Sequence, residues 1–230
     1  MWAGKLKAVT FSFDDGVAQD IRTIEILNKY SLKGTFNINS AMVGQKNSFE
    51  RFGVTVIQNR NAASDIPRIY EGHEIAAHTL SHPLLPSLPD EEIIRQVEED
   101  RLALSNICGY DVVGLAYPCG GQNHDDRVAS LVQSHTGIKY ARTIISSNSF
   151  DLQKDLMRFN PTVYICDDNL FDIAERFISS KTDEPQLLYI WGHAYELDTP
   201  KIPWEKFEEL CCFLSGHSDV FYGTNMEILL

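Results

Sequence analysis

The strongest constraint on the fold is an alternation that runs the length of the chain. Short runs rich in β-branched and aromatic residues are each followed by a segment with helical spacing, and no linker, repeat or low-complexity tract intervenes. Residues 8–13, 34–39, 73–78, 111–117, 139–143, 186–191 and 220–222 read as strands. Ile21, Ile24, Ile26 and Leu27 share the face of a first helix, and others are expected over 62–70, from Asp90, and over 125–134, 169–179 and 204–214. The helix at Asp90 has the clearest start, because Asp90, Glu91 and Glu92 place acidic groups in its first turn. Residues 40–60 and the stretch up to Pro161 read as irregular excursions, and residues 226–230 as a helical start without a cap. Strands alternating with helices call for a parallel sheet with helical crossovers. Seven such units predict an α/β fold, an incomplete β/α barrel, as a single domain over residues 1–230.

Composition narrows the partners. With 43% hydrophobic and 23% charged residues the chain can bury a sizeable core, and its net charge of −12 argues against nucleic acid or an anionic membrane surface. No apolar run reaches the length of a membrane span. Residues 1–7 carry basic groups without the apolar core of a secretion signal. The five cysteines are odd in number and scattered, which fits reduced thiols rather than a disulfide framework. These features together set the expectation of a cytoplasmic protein.

In a β/α barrel the loops after the strands converge on one face, so reactive groups are sought at strand ends. The first strand delivers Asp14-Asp15-Gly16, the third His78, the fourth Pro118-Cys119, the fifth Arg142 and the sixth His193. Adjacent carboxylates leaving a strand point in different directions, so Asp14 and Asp15 can serve a proton and a cation separately. His78 and His82 lie four residues apart; on a helical turn both imidazoles would share one face. With one of the two carboxylates they form a two-nitrogen, one-oxygen donor set that leaves room for water. Trp191, Tyr195 and Trp204 are either a stacking wall for sugar or core aromatics.

Phe13-Asp14-Asp15-Gly16, His78-Thr79-Leu80-Ser81-His82 and Leu188-Tyr189-Ile190-Trp191-Gly192-His193 resemble motifs of the polysaccharide deacetylase family, over about residues 8–195. The resemblance implies a distorted seven-stranded (β/α)7 barrel, a carbohydrate substrate and a divalent metal. Zinc is expected, with cobalt, nickel or manganese as alternatives. It implies that Asp15, His78 and His82 are ligands, Asp14 the general base and His193 the acid. The backbone N–H of Cys119 matches an oxyanion donor, and Tyr117, Pro118, Trp191 and Tyr195 are the expected substrate contacts. Two departures stand out: Ala116 replaces the arginine usual two residues before Pro118, and Cys119 replaces the tyrosine after it. Arg142, one strand along, is a candidate to hold Asp14 instead; a structural ion pair or a contact to a substrate anion are the alternatives. Glu196 and Asp198 are candidates to orient His193.

The expected function is therefore metal-dependent removal of an N-acetyl or O-acetyl group from a carbohydrate. A related C–N hydrolase, acting on a formylated amino sugar or a cyclic imide or ureide, is the first alternative. A catalytically silent carbohydrate-binding barrel is the second.

Overall fold

Strand β1 (Lys7–Asp14) sets the frame. Its residues alternate Lys7, Val9, Phe11 and Phe13 on one face with Ala8, Thr10, Ser12 and Asp14 on the other, the period of a strand. In the computed structural model, which describes residues 2–230, both faces are buried. Val9, Phe11 and Phe13 join the large apolar layer between strands and helices, whereas Ala8 belongs to a smaller cluster with Trp2, Leu187, Tyr189 and Trp191.

The chain continues through α1 (Asp20–Lys29), β2 (Gly34–Ile38), β3 (Ser48–Arg51), β4 (Val54–Ile57), α2 (Ile66–Ile69), β5 (Glu74–Ala77) and α3 (Asp90–Cys108). It then forms β6 (Gly114–Ala116), α4 (Asp126–His135), β7 (Tyr140–Arg142), β8 (Val163–Tyr164) and α5 (Leu170–Ser179). It ends in β9 (Gln186–Gly192), α6 (Trp204–Leu214), β10 (Val220–Tyr222) and α7 (Asn225–Leu229). Hydrogen-bonded neighbours follow the order β7-β6-β5-β2-β1-β9-β8, all parallel, and β10 pairs with β1 at Lys7–Val9. The row curls until its ends meet at one residue: Phe159, just ahead of β8, bridges Arg142 at the end of β7. The result is the distorted, incomplete (β/α)7 barrel that the alternation implies.

Local differences from expectation have local causes. Residues 40–60 hold an antiparallel hairpin, β3–β4, which pairs only with itself and leans on the turn after β9 through Phe49 against Tyr195. The stretch before Pro161 leads into β8, too short to show a period. The expected helix over 62–70 shrinks to α2 behind a 3-10 turn at Ala63–Asp65. Helix α7 does have a cap: the Thr224 side chain accepts from Glu227 N, one residue before the helix begins. All five cysteines are free thiols, and no helix among the described residues is long and apolar enough to cross a membrane.

The barrel interior is polar. Thr35 Oγ1 and Tyr140 OH donate to Glu74, Asn37 Nδ2 donates to Ser12 Oγ, and Asn225 Nδ2 donates to the Tyr189 hydroxyl. Asn225 and Met226, at the start of α7, donate their backbone N–H groups to Thr35 Oγ1 and Glu74 Oε2 and so stopper one end. The other end, at the carboxyl ends of the strands, opens into a cavity of about 650 Å3.

Candidate active site

Asp14 ends β1, and the two residues after it turn left-handed, with φ of 83° at Asp15 and 65° at Gly16. For Asp15 this is an uncommon conformation. It separates the two carboxylates. Asp14 Oδ1 receives Arg142 Nη2 and, at 2.8 Å, Asn37 Nδ2; Oδ2 lies 4.0 Å from both His78 Nε2 and His193 Nε2. Asp15 turns to other partners: Gln58 Nε2 donates to Oδ2 at 2.8 Å, and Arg60 Nη2 lies 3.2 Å from Oδ1. Arg60 Nη1 holds the Asp15 backbone oxygen at 2.8 Å.

The two histidines meet by a different route from the helical turn expected. Thr79 and His82 adopt φ of 68° and 60°, and the segment is a loop strapped to α3 by bonds from Leu80 N and Ser81 N to Gln96. Asn39 Nδ2 holds the His78 and Thr79 carbonyls, and Asp100 accepts the His78 N–H. Oxygen of Asp15 and ring nitrogens of His78 and His82 all fall within 4.8 Å of one another. His78 Nδ1 lies 2.8 Å from the Ala116 carbonyl, which can only accept, so Nδ1 carries the proton. Its Nε2 is therefore an acceptor, and it is buried with no hydrogen-bond partner among the described residues. A buried imidazole lone pair without a donor, beside a carboxylate and a second imidazole, is the arrangement a divalent cation would complete. These residues fit such an ion.

The electrostatics give the titratable groups of the site different charge states. Burial alone would raise Asp14, but Arg142, His78 and His193 outweigh it and hold the carboxyl below its ordinary range. Burial likewise opposes the ionised Asp15, yet His193, His78, Arg60 and His82 bring it down to about 2. Burial pushes His78 down to about 4, so this imidazole stays neutral and able to ligate. His193 goes the other way: burial would lower it, but Glu196, then Asp14 and Asp15, lift it to about 9. A charged imidazole and an ionised carboxylate thus face each other at 4.0 Å.

Arg142 is fully buried, with its guanidinium 4.6 Å from the Trp191 ring centre. Trp191 lines the cavity, as do Tyr195, stacked on His193 at 4.8 Å, and Cys119. Cys119 Sγ sits 3.6 Å from His82 Nδ1, on the ring edge away from Asp15. Tyr117 borders the cavity, but its hydroxyl donates to the Met157 carbonyl and its ring stacks on His124, so little beyond its edge is open to a ligand. Pro118 is buried and lies off the cavity wall. Of the two candidates beside His193, Glu196 is the one that approaches it, its Oε1 3.4 Å from Nδ1 without a formed hydrogen bond; Asp198 instead receives Gln19 and Trp204.

Sequence reading missed Asn37, Asn39, Arg51, Gln58, Arg60 and Gln96. The two asparagines continue the polar alternation Thr35-Asn37-Asn39 along β2 and one residue past its end, a signal open to detection. Arg51, Gln58 and Arg60 reach the site from the hairpin, and nothing in a polar excursion marks which of its residues turn inward.

A family model described as polysaccharide deacetylase matches residues 3–141. The chain is 24% identical over 119 residues to the peptidoglycan-N-acetylglucosamine deacetylase PgdA of Listeria monocytogenes, covering 51% of this chain and 22% of that protein. It is 28% identical over 123 residues to the peptidoglycan-N-acetylmuramic acid deacetylase PdaC of Bacillus subtilis, covering 53% and 23%. The matched stretch thus spans less than a quarter of either relative. The structure of Bacillus subtilis PdaC superposes with a TM-score of 0.56 at 18% identity, over 98% of this chain and 91% of the other. A family 4 carbohydrate esterase from Streptomyces lividans gives 0.56 at 14% identity, over 96% and 93%. The likeness to these solved structures shows the fold, and the family match adds the identity: this chain belongs to the polysaccharide deacetylase family.

Proposed function

We propose that this protein hydrolyses the N-acetyl group of an N-acetylated amino sugar, O-acetyl groups being a secondary possibility, with a divalent metal held by Asp15, His78 and His82. One observation carries the reading: the unpartnered His78 Nε2 and its two companion donors sit beside an Asp14 oxygen that lies 4.0 Å from each of two imidazoles. Bound there, zinc or a similar ion would acidify water and polarise the acyl carbonyl.

The chain's own residues supply the proton movements. Asp14, kept ionised by Arg142, takes the proton of the attacking water. Water oxygen bonds to the acyl carbon, and the backbone N–H of Cys119 is the proposed donor to the oxygen that becomes negative. The C–N bond then breaks toward nitrogen, which cannot leave as an anion, and His193 supplies its proton. Acetate and a free amine result. Trp191 and Tyr195 offer apolar faces on the cavity wall against which a sugar ring can stack.

Ala116, standing where the resemblance leads one to expect arginine, speaks for a silent binding barrel. Arg142 on Asp14 counts against it, because the carboxylate keeps a buried guanidinium partner. The two named relatives act on peptidoglycan amino sugars, so oligomers of N-acetylglucosamine and N-acetylmuramic acid are the first substrates to try. The test is release of acetate and of formate from a panel of N-acylated sugars, with metal-loaded and chelated protein. Acetate release that disappears on chelation supports the reading. Formate release alone would move the protein to the deformylases, and no release from loaded protein would return it to the binding barrels.

A further inference from the structure

Resting on that reading, we propose that Arg51, carried on the β3–β4 hairpin, is the positioning residue that makes His193 an effective proton donor, acting through Glu196. Glu196 lies in the 3-10 turn Ala194–Asp198 that follows β9, and its side chain is wholly buried. Its Oε2 accepts the His193 backbone N–H at 3.0 Å, and Oε1 lies 3.4 Å from His193 Nδ1. The same Oε1 receives Arg51 Nη2 and the Tyr164 hydroxyl, and Arg51 Nη2 also reaches the Tyr164 oxygen. Two cations, His193 and Arg51, therefore share one buried carboxylate oxygen.

The arrangement has a physical requirement. A carboxyl removed from water favours its neutral form, and a neutral Glu196 would neither orient nor charge the imidazole. Burial opposes the ionised Glu196, and His193 does most to keep it charged; Tyr164 adds a hydrogen bond to the charged form, and Arg51 is its second positive partner. The other groups facing His193 are Asp14 and Asp15 at the end of β1 and Tyr195 from its own turn, and both aspartates are committed to the base and ligand positions.

The hairpin that carries Arg51 is joined to no strand of the barrel. It touches both halves of the site: Arg51 reaches Glu196, while Gln58 and Arg60, just past β4, hold Asp15. Phe49 adds an edge-to-face contact with Tyr195, the ring stacked on His193. An element of two four-residue strands is marginal on its own, so its seating on Glu196 is a separable event rather than a consequence of the barrel.

The experiment compares Arg51→Met, Arg51→Lys and Glu196→Gln with the wild type. In Arg51→Met, metal content and KM should stay near wild type while kcat on an N-acetyl sugar falls about ten- to a hundredfold. An activated aryl acetate, whose leaving group needs no proton, should lose much less. The alkaline limb of kcat/KM should move to lower pH, and Arg51→Lys should restore part of it. NMR titration of the His193 imidazole in metal-free protein should move the same way in both Arg51→Met and Glu196→Gln. Equal losses on amide and ester, or an unmoved imidazole titration beside a lower Tm, would make Arg51 a structural anchor and overturn the proposal. If wild type releases nothing from any N-acylated sugar, the functional reading fails, yet the imidazole titration still decides the role of Arg51. Should Arg51→Met fold poorly, Glu196→Gln decides: an unchanged His193 titration there overturns the relay.

Discussion

Arg142 places its guanidinium on the Asp14 carboxylate from a strand 128 residues further along the chain. In the ladder between β6 and β7 its direct partner is Ala116, the position where the family carries arginine. On the resemblance, Arg142 brings to Asp14 from the neighbouring strand the cation that Ala116 lacks. Both positions face the barrel mouth at the same height, so a long side chain from either reaches a carboxylate at the end of β1. The Trp191 ring against the guanidinium and the Thr143 carbonyl that accepts from Nη1 fix the new approach.

This pair predicts how Arg142 variants behave. Removing one member of a buried ion pair leaves the other charge uncompensated, so Arg142→Met should cost about 3–5 kcal/mol of stability. Metal content should survive, because Arg142 touches no ligand. Arg142→Lys keeps the charge but loses the planar fork, and its kcat should fall with KM nearly unchanged. Unchanged kcat in a folded, metal-replete Arg142→Lys would remove Arg142 from the positioning of the base.

The adjacent aspartates should separate cleanly. Asp14→Asn removes the proposed base and no ligand, so bound metal should stay stoichiometric while turnover drops by about 100-fold or more. Asp15→Asn should lose metal first, and with it the added thermal stability. Metal at 100 times its dissociation constant stabilises a native-only site by about 2.7 kcal/mol. Metal analysis and melting with and without chelator check both variants. Exchange of the two outcomes would place the ligand and the base in the opposite register.

Much of this site was legible because strand ends and chemistry coincide. Asp14, Asp15, His78, Arg142 and His193 each stand at or just beyond the end of a parallel strand, and barrel topology gathers such positions. The fold class was legible for the same reason, since apolar runs of adequate length alternate with helical spacing. What escaped was set by loops. The convergence of His78 and His82 depends on left-handed Thr79 and His82, a conformation uncommon outside glycine and costly for β-branched Thr79. The partner of His193 depended on which way a 3-10 turn points Glu196 rather than Asp198. Arg51, Gln58 and Arg60 come from a hairpin in a tract whose polarity reads equally well as a solvated loop.

The raised titration of His193 has a consequence for stability. An imidazole near 6.5 when unfolded and about 9 when folded is held charged by the native state. The stabilisation is fully present below pH 6.5 and is lost as pH rises through 9, on the order of 3 kcal/mol in all. Metal-free wild type should therefore lose melting temperature between about pH 6.5 and 9 more steeply than metal-free His193→Gln. Parallel pH–Tm curves for the two proteins would show that Glu196 and the aspartates do not hold the imidazole charged.

Asn39 is the residue on which the geometry of the donor set depends most. It is fully buried; its Nδ2 donates to the carbonyls of His78 and Thr79, and its Oδ1 accepts Arg60 Nη1 at 2.7 Å. The same Arg60 nitrogen donates to the Asp15 carbonyl, so one amide and one guanidinium tie the His78 segment to the Asp15 turn. Thr79, β-branched at a φ of 68°, would relax toward an extended backbone if released, carrying His82 with it. Asn39→Ala should therefore weaken metal binding about 10- to 100-fold, the usual cost of losing a residue that orients ligands. Two carbonyls and a guanidinium nitrogen lose a partner as well, which should lower stability by about 1–3 kcal/mol. Asn39→Asp keeps the acceptor for Arg60 but sets a carboxylate oxygen against the two carbonyl oxygens, so it should bind metal as poorly as Asn39→Ala and be no more stable. Competition against a chelator of known affinity measures the first effect and metal-free melting the second. Wild-type metal affinity in Asn39→Ala, with only the melting temperature reduced, would show that the histidine loop holds its left-handed turn without Asn39.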